Sequence, residues 1–158
     1  MISRTEIIER ARIWVDAPRR YSQEDNDPAS GYRLDCSGYA SMAWRLAPPG
    51  ETTVELPDYC VLIDKDDLLP GDAVMNGGPG TYGDAGHVML FDAWADPDRT
   101  AFWTYEQISA GTVHRIRLFP PPPFRSYRLR TVAGRSGHRS DVECRVSEQV
   151  IASPHRRR

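Results

Sequence analysis

Asp35-Cys36-Ser37-Gly38-Tyr39 sits at the junction of two unlike stretches of chain, and its reading decides the rest. Before it, residues 18 to 35 carry Pro, Asn, Asp, Ser and Gly without an apolar period, which predicts a long loop of the kind that tends to be functional. After it, Cys36, Tyr39, Ala40, Ala43, Trp44 and Leu46 recur at helical spacing until Pro48-Pro49-Gly50 stops them. A helix is therefore expected to begin at Cys36, with Asp35 able to cap it and Gly38 allowing other backbone or substrate to come close. A thiol attacks a carbonyl only as thiolate, and an ordinary thiol of pKa about 8.5 supplies little of it at neutral pH. The first turn of a helix aims unpaired N–H groups and the positive dipole end at the sulfur, and the same groups can hold an oxyanion. Taken alone, the tetrapeptide also describes a small buried hydrophobe at a helix start.

A base for that thiol stands at His87, which opens the apolar run His87-Val88-Met89-Leu90-Phe91-Asp92-Ala93-Trp94 after the glycine-rich segment 77 to 86. Residues 100 to 107 form the next strand. If Ala95 to Asp98 is the connecting loop, Trp94 pairs with Arg99 and His87 lies opposite Glu106. Period two then places His87, Met89 and Phe91 on one face with Phe102, Thr104 and Glu106, while Tyr105 and Gln107 point away. Glu106 is the expected orienting residue, and a slip of one residue would substitute Gln107 or Tyr105.

Around these pieces, Ser3-Arg4-Thr5-Glu6 fits a capping box, and Ile7, Ile8, Ala11, Trp14 and Val15 give an amphipathic helix up to Asp16. Cys60 to Ile63 is a short apolar run, Pro70-Gly71 suits a type II turn, and Ala73 opens a strand. Val113 to Phe119 alternates Arg with apolar residues, and Tyr127 to Val132 predicts a last strand. Helices first and antiparallel strands afterwards predict an α+β arrangement in one domain over residues 1–133. Residues 134 to 158 hold too few large apolar residues for a core and are expected to form a basic, disordered tail.

The 158 residues suffice for one core, and the formal charge of -2 conceals an acidic front and a basic end. From Arg115 onward eleven Arg face Asp141, Glu143 and Glu148, a pattern read as solvated charge, so nucleic acid is not expected as a partner. Three cysteines, Cys36, Cys60 and Cys144, without CxxC spacing offer neither a disulfide framework nor a zinc site. No metal or organic cofactor is expected. The N-terminus lacks a basic n-region followed by an apolar h-region, and no stretch approaches the roughly 18 apolar residues of a membrane span. The chain as written is thus expected to be soluble and cytoplasmic, with secretion open if the start is truncated.

Three pieces in this order, Asp35-Cys36-Ser37-Gly38-Tyr39, Leu69-Pro70-Gly71-Asp72-Ala73-Val74 and Gly86-His87-Val88, resemble the NlpC-type cell-wall peptidases, papain-like thiol proteases. The longer run Tyr32 to Trp44, together with Tyr105-Glu106-Gln107, is similar to stand-alone actinobacterial members. The resemblance spans roughly Ser3 to Gln107. It implies a papain-like core with N-terminal helices packed on an antiparallel sheet, Cys36 as nucleophile, His87 as general base and later acid, and a polar third residue on the strand after His87. Glu106 fits that place, although the family more often has His, Asn or Gln. Tyr21 is similar to the tyrosine of the family's loop before the cysteine, with Ser22-Gln23 where Trp-Gly-Gly is usual. Tyr21, Asp35 and Ser37 would then contact substrate.

By the same resemblance the substrate is the γ-D-glutamyl to diamino-acid bond of peptidoglycan stem peptides, whose acidic groups Arg33 or Arg45 could meet. The dyad would serve equally an N-acetylmuramoyl amidase or an acyl or amine transferase, and a non-catalytic binding module is the alternative from another class.

Overall fold

The computed structural model describes residues 1–133, and the expected tail from residue 134 lies outside them, as does Cys144. Helix α1 spans Arg4–Asp16 and begins where Ser3 accepts a hydrogen bond from the Glu6 amide at 3.0 Å. The Glu6 carboxylate pairs with Arg45. Helix α2 spans Cys36–Ala43, three residues shorter than the apolar spacing to Leu46 predicts. Arg45 adopts φ 59° and the Leu46 amide closes back on the Ser41 carbonyl at 2.9 Å, a Schellman-type stop before the prolines are reached.

Strands β1 (Cys60–Ile63), β2 (Ala73–Asn76), β3 (His87–Trp94), β4 (Ala101–Ile108), β5 (Gly111–Leu118) and β6 (Arg125–Leu129) form a sheet in the order β1-β6-β2-β3-β4-β5. Neighbouring strands run antiparallel. The turn entering β2 closes with the Asp72 amide on the Leu69 carbonyl at 3.0 Å, and Gly71 takes φ 95° as a type II turn requires. The last strand starts at Arg125 and ends at Leu129, displaced from the expected 127 to 132, and inserts between β1 and β2.

The β3–β4 register also differs from the expected one. Trp94 pairs with Phe102 and Leu90 with Tyr105, with a bulge between Phe91 and Ala93. The cause is the loop: the Asp96 side chain accepts from the Thr100 and Ala101 amides at 2.9 and 3.1 Å, so the connection runs on to Thr100. The division of faces is nevertheless the expected one. Val88, Leu90 and Tyr105 join the helices in one buried cluster, while Met89, Phe91 and Phe102 join Val74 and Leu68 in another on the opposite face.

Helix α2 packs on β3 and β4, and α1 lies against α2, β4 and β5. Trp14 of α1 stacks on Tyr39 of α2 with ring centroids 5.4 Å apart, and the Tyr39 hydroxyl donates to the Ala11 carbonyl at 2.7 Å. Trp44 donates its ring N–H to the Gly71 carbonyl at 2.9 Å, so Tyr39 and Trp44 are buried with their polar atoms satisfied. Burial of such a side chain contributes roughly 1.5–3 kcal/mol. The result is an α+β domain in which the first turn of α2 is held against the beginning of β3.

Candidate active site

Asp35 fixes the start of α2 in the expected way: its Oδ1 accepts from the Gly38 amide at 2.7 Å and its carbonyl from the Tyr39 amide at 3.0 Å. Gly38 is required by a close approach, since a Cβ there would lie 2.1 Å from the Arg33 carbonyl oxygen. The loop leading to Cys36 therefore passes directly over the helix that carries it. Ser37 is buried and donates to Asp35 Oδ1 at 3.2 Å. Cys36 is 7% exposed and lies where two parts of one cleft meet.

One part, of about 240 Å³, is lined by Arg33, Asp35, Ser37, Thr52 and Tyr82 among others; the second, of about 270 Å³, by Asp84, Gly86, His87 and Gln107 among others. Tyr21, Cys36 and Gly83 belong to both. Tyr21 thus stands beside Cys36, and burial raises its hydroxyl pKa above the usual range. Gln23 spans the cleft rim, donating through Nε2 to the Tyr21 hydroxyl at 3.1 Å and to Asp84 Oδ1 at 2.8 Å.

His87 lines the same part of the cleft as Cys36, and its ring meets Glu106. Its Nε2 lies 2.8 Å from Glu106 Oε1, and because an ionised carboxylate only accepts, Nε2 carries a proton there. Burial pulls the imidazole pKa down, but hydrogen bonding and charge from Cys36 and Glu106 outweigh it and raise the value to about 9. Glu106 is fully buried. Burial pushes its carboxyl up, and His87 with Arg115 overcomes that and holds it below the ordinary value.

The structure brings Cys36, His87, Tyr21, Asp35 and Ser37 to one cleft and sets Glu106 behind His87. Gln107, the alternative to Glu106, is engaged elsewhere. Its Nε2 donates to the carbonyls of Arg19, Arg20 and Leu34 at 3.1, 3.0 and 3.3 Å, tying down the loop that carries Tyr21. Arg33 borders the cleft, but its guanidinium is committed to Asp35, Ser37 and the Gly50 and Glu51 carbonyls. Arg45 does not border it and turns to Glu6 and the Met1 carbonyl.

Residues that sequence reasoning missed are Arg115 and Arg117, which reach Glu106 at 2.9 and 3.4 Å. Their signal is the Arg alternation from Val113, which places both on one face of β5. Cys60, the second free thiol among the described residues, donates to the Leu56 carbonyl, and burial pushes its pKa up to about 12. Among the described residues no group of three or more His, Cys, Asp or Glu is placed to hold a metal ion, and no helix is long and apolar enough to cross a membrane.

No protein-family model and no curated protein matches the chain. Among solved structures it is similar to NlpC1 from Trichomonas vaginalis, with 20% identity and a TM-score of 0.48. That match covers 77% of this chain and 43% of the other, so the chain spans less than half the length of that protein.

Proposed function

We propose that this protein is a cysteine hydrolase of the NlpC type that cleaves an amide bond in peptidoglycan stem peptides, between γ-D-glutamyl and the diamino acid. The observation that carries the reading is the His87 ring, which lines one cleft with Cys36 of the first turn of α2 and meets the buried Glu106 carboxylate at 2.8 Å. An imidazolium beside a helix N-terminus is the environment that turns a thiol into a nucleophilic thiolate.

In the proposed cycle the Cys36 thiolate attacks the amide carbonyl carbon. Asp35 occupies the amides of Gly38 and Tyr39, so in this cycle those of Cys36 and Ser37 would be the first-turn donors to the oxyanion. The His87 imidazolium gives its proton to the departing amine nitrogen as the C–N bond breaks, leaving a thioester on Cys36 and a neutral imidazole. That imidazole takes a proton from water, the hydroxide adds to the thioester carbonyl, and the C–S bond breaks to regenerate thiolate and imidazolium. Glu106 keeps the ring aligned through both halves. Tyr21, Asp35 and Ser37 line the part of the cleft where the acyl side of the substrate would lie.

Incubating the purified protein and its Cys36→Ala variant with intact peptidoglycan and soluble stem peptides, followed by mass spectrometry, tests the proposal. New amines and acids from the parent protein alone are expected, and their masses identify the bond. Product formation that is equal in the two proteins, or absent from both, would contradict it.

A further inference from the structure

Glu106 divides its two oxygens between two strands. Oε1 meets His87 Nε2 at 2.8 Å, and Oε2 meets Arg115 Nε at 2.9 Å. The register explains the second contact: Thr104 of β4 pairs with Arg115 of β5, so Arg115 lies diagonally across from Glu106 on the same face. Glu106 has no exposure at all, whereas the Arg115 side chain is 44% exposed, so the guanidinium reaches in from the surface of the edge strand. Arg117 adds a longer contact of 3.4 Å to Oε1.

We propose that Arg115 is a positioning residue that sets, through Glu106, the pH at which His87 gives up its proton. The inference rests on the hydrolase reading above. The proposed cycle needs His87 in two states, protonated to release the amine and neutral to activate water. A fully buried carboxylate facing the imidazole alone would hold the proton on it too firmly for the second half. Arg115 offsets part of that negative charge while leaving the aligning hydrogen bond intact. The other groups around the ring are Cys36 from α2 and, along the same part of the cleft, Tyr21 and Asp84. None of them touches Oε2, so the Arg115 effect is separable from theirs.

The test is an NMR titration of the His87 ring in the full chain, assigned by loss of the signal in His87→Asn. Removing a cation near a coupled acid–base pair raises both proton affinities, so Arg115→Gln is expected to move the His87 midpoint up by about half to one pH unit. Arg115→Lys, which keeps the charge, should restore most of the parent value. In a Glu106→Gln background, where no buried carboxylate is left unpaired and folding is less at risk, the further change Arg115→Gln should leave the midpoint within about 0.3 unit.

A His87 midpoint unmoved by Arg115→Gln in folded protein would overturn the proposal. So would an equal shift with and without Glu106. The titration needs no turnover, so it is read independently of whether peptidoglycan is cleaved.

Discussion

His87 stands between a sulfur and a carboxylate that both favour its proton, and this links it to the stability of the whole fold. Its folded pKa of about 9 lies above the ordinary value of 6.5. Between those values the folded state holds a proton that the unfolded chain has released, so stability falls as pH rises through that window. The contribution is fully present below about 6.5 and is lost as pH passes about 9. Thermal unfolding midpoints of the parent protein are expected to decline more steeply over this range than those of His87→Asn. Parallel declines would mean that the imidazole gains nothing from its neighbours. Asp35 serves several partners in the same way at the helix start, where one carboxylate caps α2, orients Ser37 and pairs with Arg33.

Elements are legible in the sequence where a local pattern encodes them. The Asp35 cap, the Pro70-Gly71 turn and the facing of β3 and β4 up to the bulge after Phe91 each rest on residues close in sequence and have their expected form, whereas the capping box at Ser3 is half made, because the Glu6 carboxylate turns to Arg45 instead of the Ser3 amide. The β3–β4 register is not legible, because the Asp96 side chain closes a longer loop than the turn residues imply. Glu106 still meets His87, since the bulge after Phe91 changes which residues pair but not which face they share.

Gln107 gives the clearest prediction at this scale. Strand alternation alone says only that it points away from His87, whereas the fold makes it the post on which the loop before Cys36 is hung, with Thr112 donating to its Oε1 at 2.5 Å. Gln107→Leu keeps the volume and removes the donor shared by the carbonyls of Arg19, Arg20 and Leu34, of which Leu34 keeps the Ser22 amide, at a cost of about 1–3 kcal/mol. Urea denaturation should report that loss, together with faster amide exchange in residues 19 to 34. Unchanged exchange there would show that the loop does not depend on this side chain.

At the scale of the whole molecule the strand order is beyond local pattern. β6 slips between β1 and β2, and its Arg128 meets Asp72 at 2.8 Å while Arg4 meets the same carboxylate at 2.9 Å. Three distant segments are thus joined by one buried charge, a pairing that no spacing announces. The same long-range order gives the two free thiols among the described residues different neighbours. Both border the same apolar cluster, but Cys60 has its ionisation suppressed by burial, while Cys36 lies at a helix start and lines a cleft with His87.

The most direct test is the pH dependence of iodoacetamide alkylation at each cysteine, read by peptide mass spectrometry in the parent protein and in His87→Ala. Cys36 is expected to be alkylated readily at neutral pH, His87→Ala to slow that alkylation, and Cys60 to stay unmodified in the folded protein. A Cys36 that is alkylated with the same pH dependence in both proteins would contradict the proposal that His87 activates this thiol.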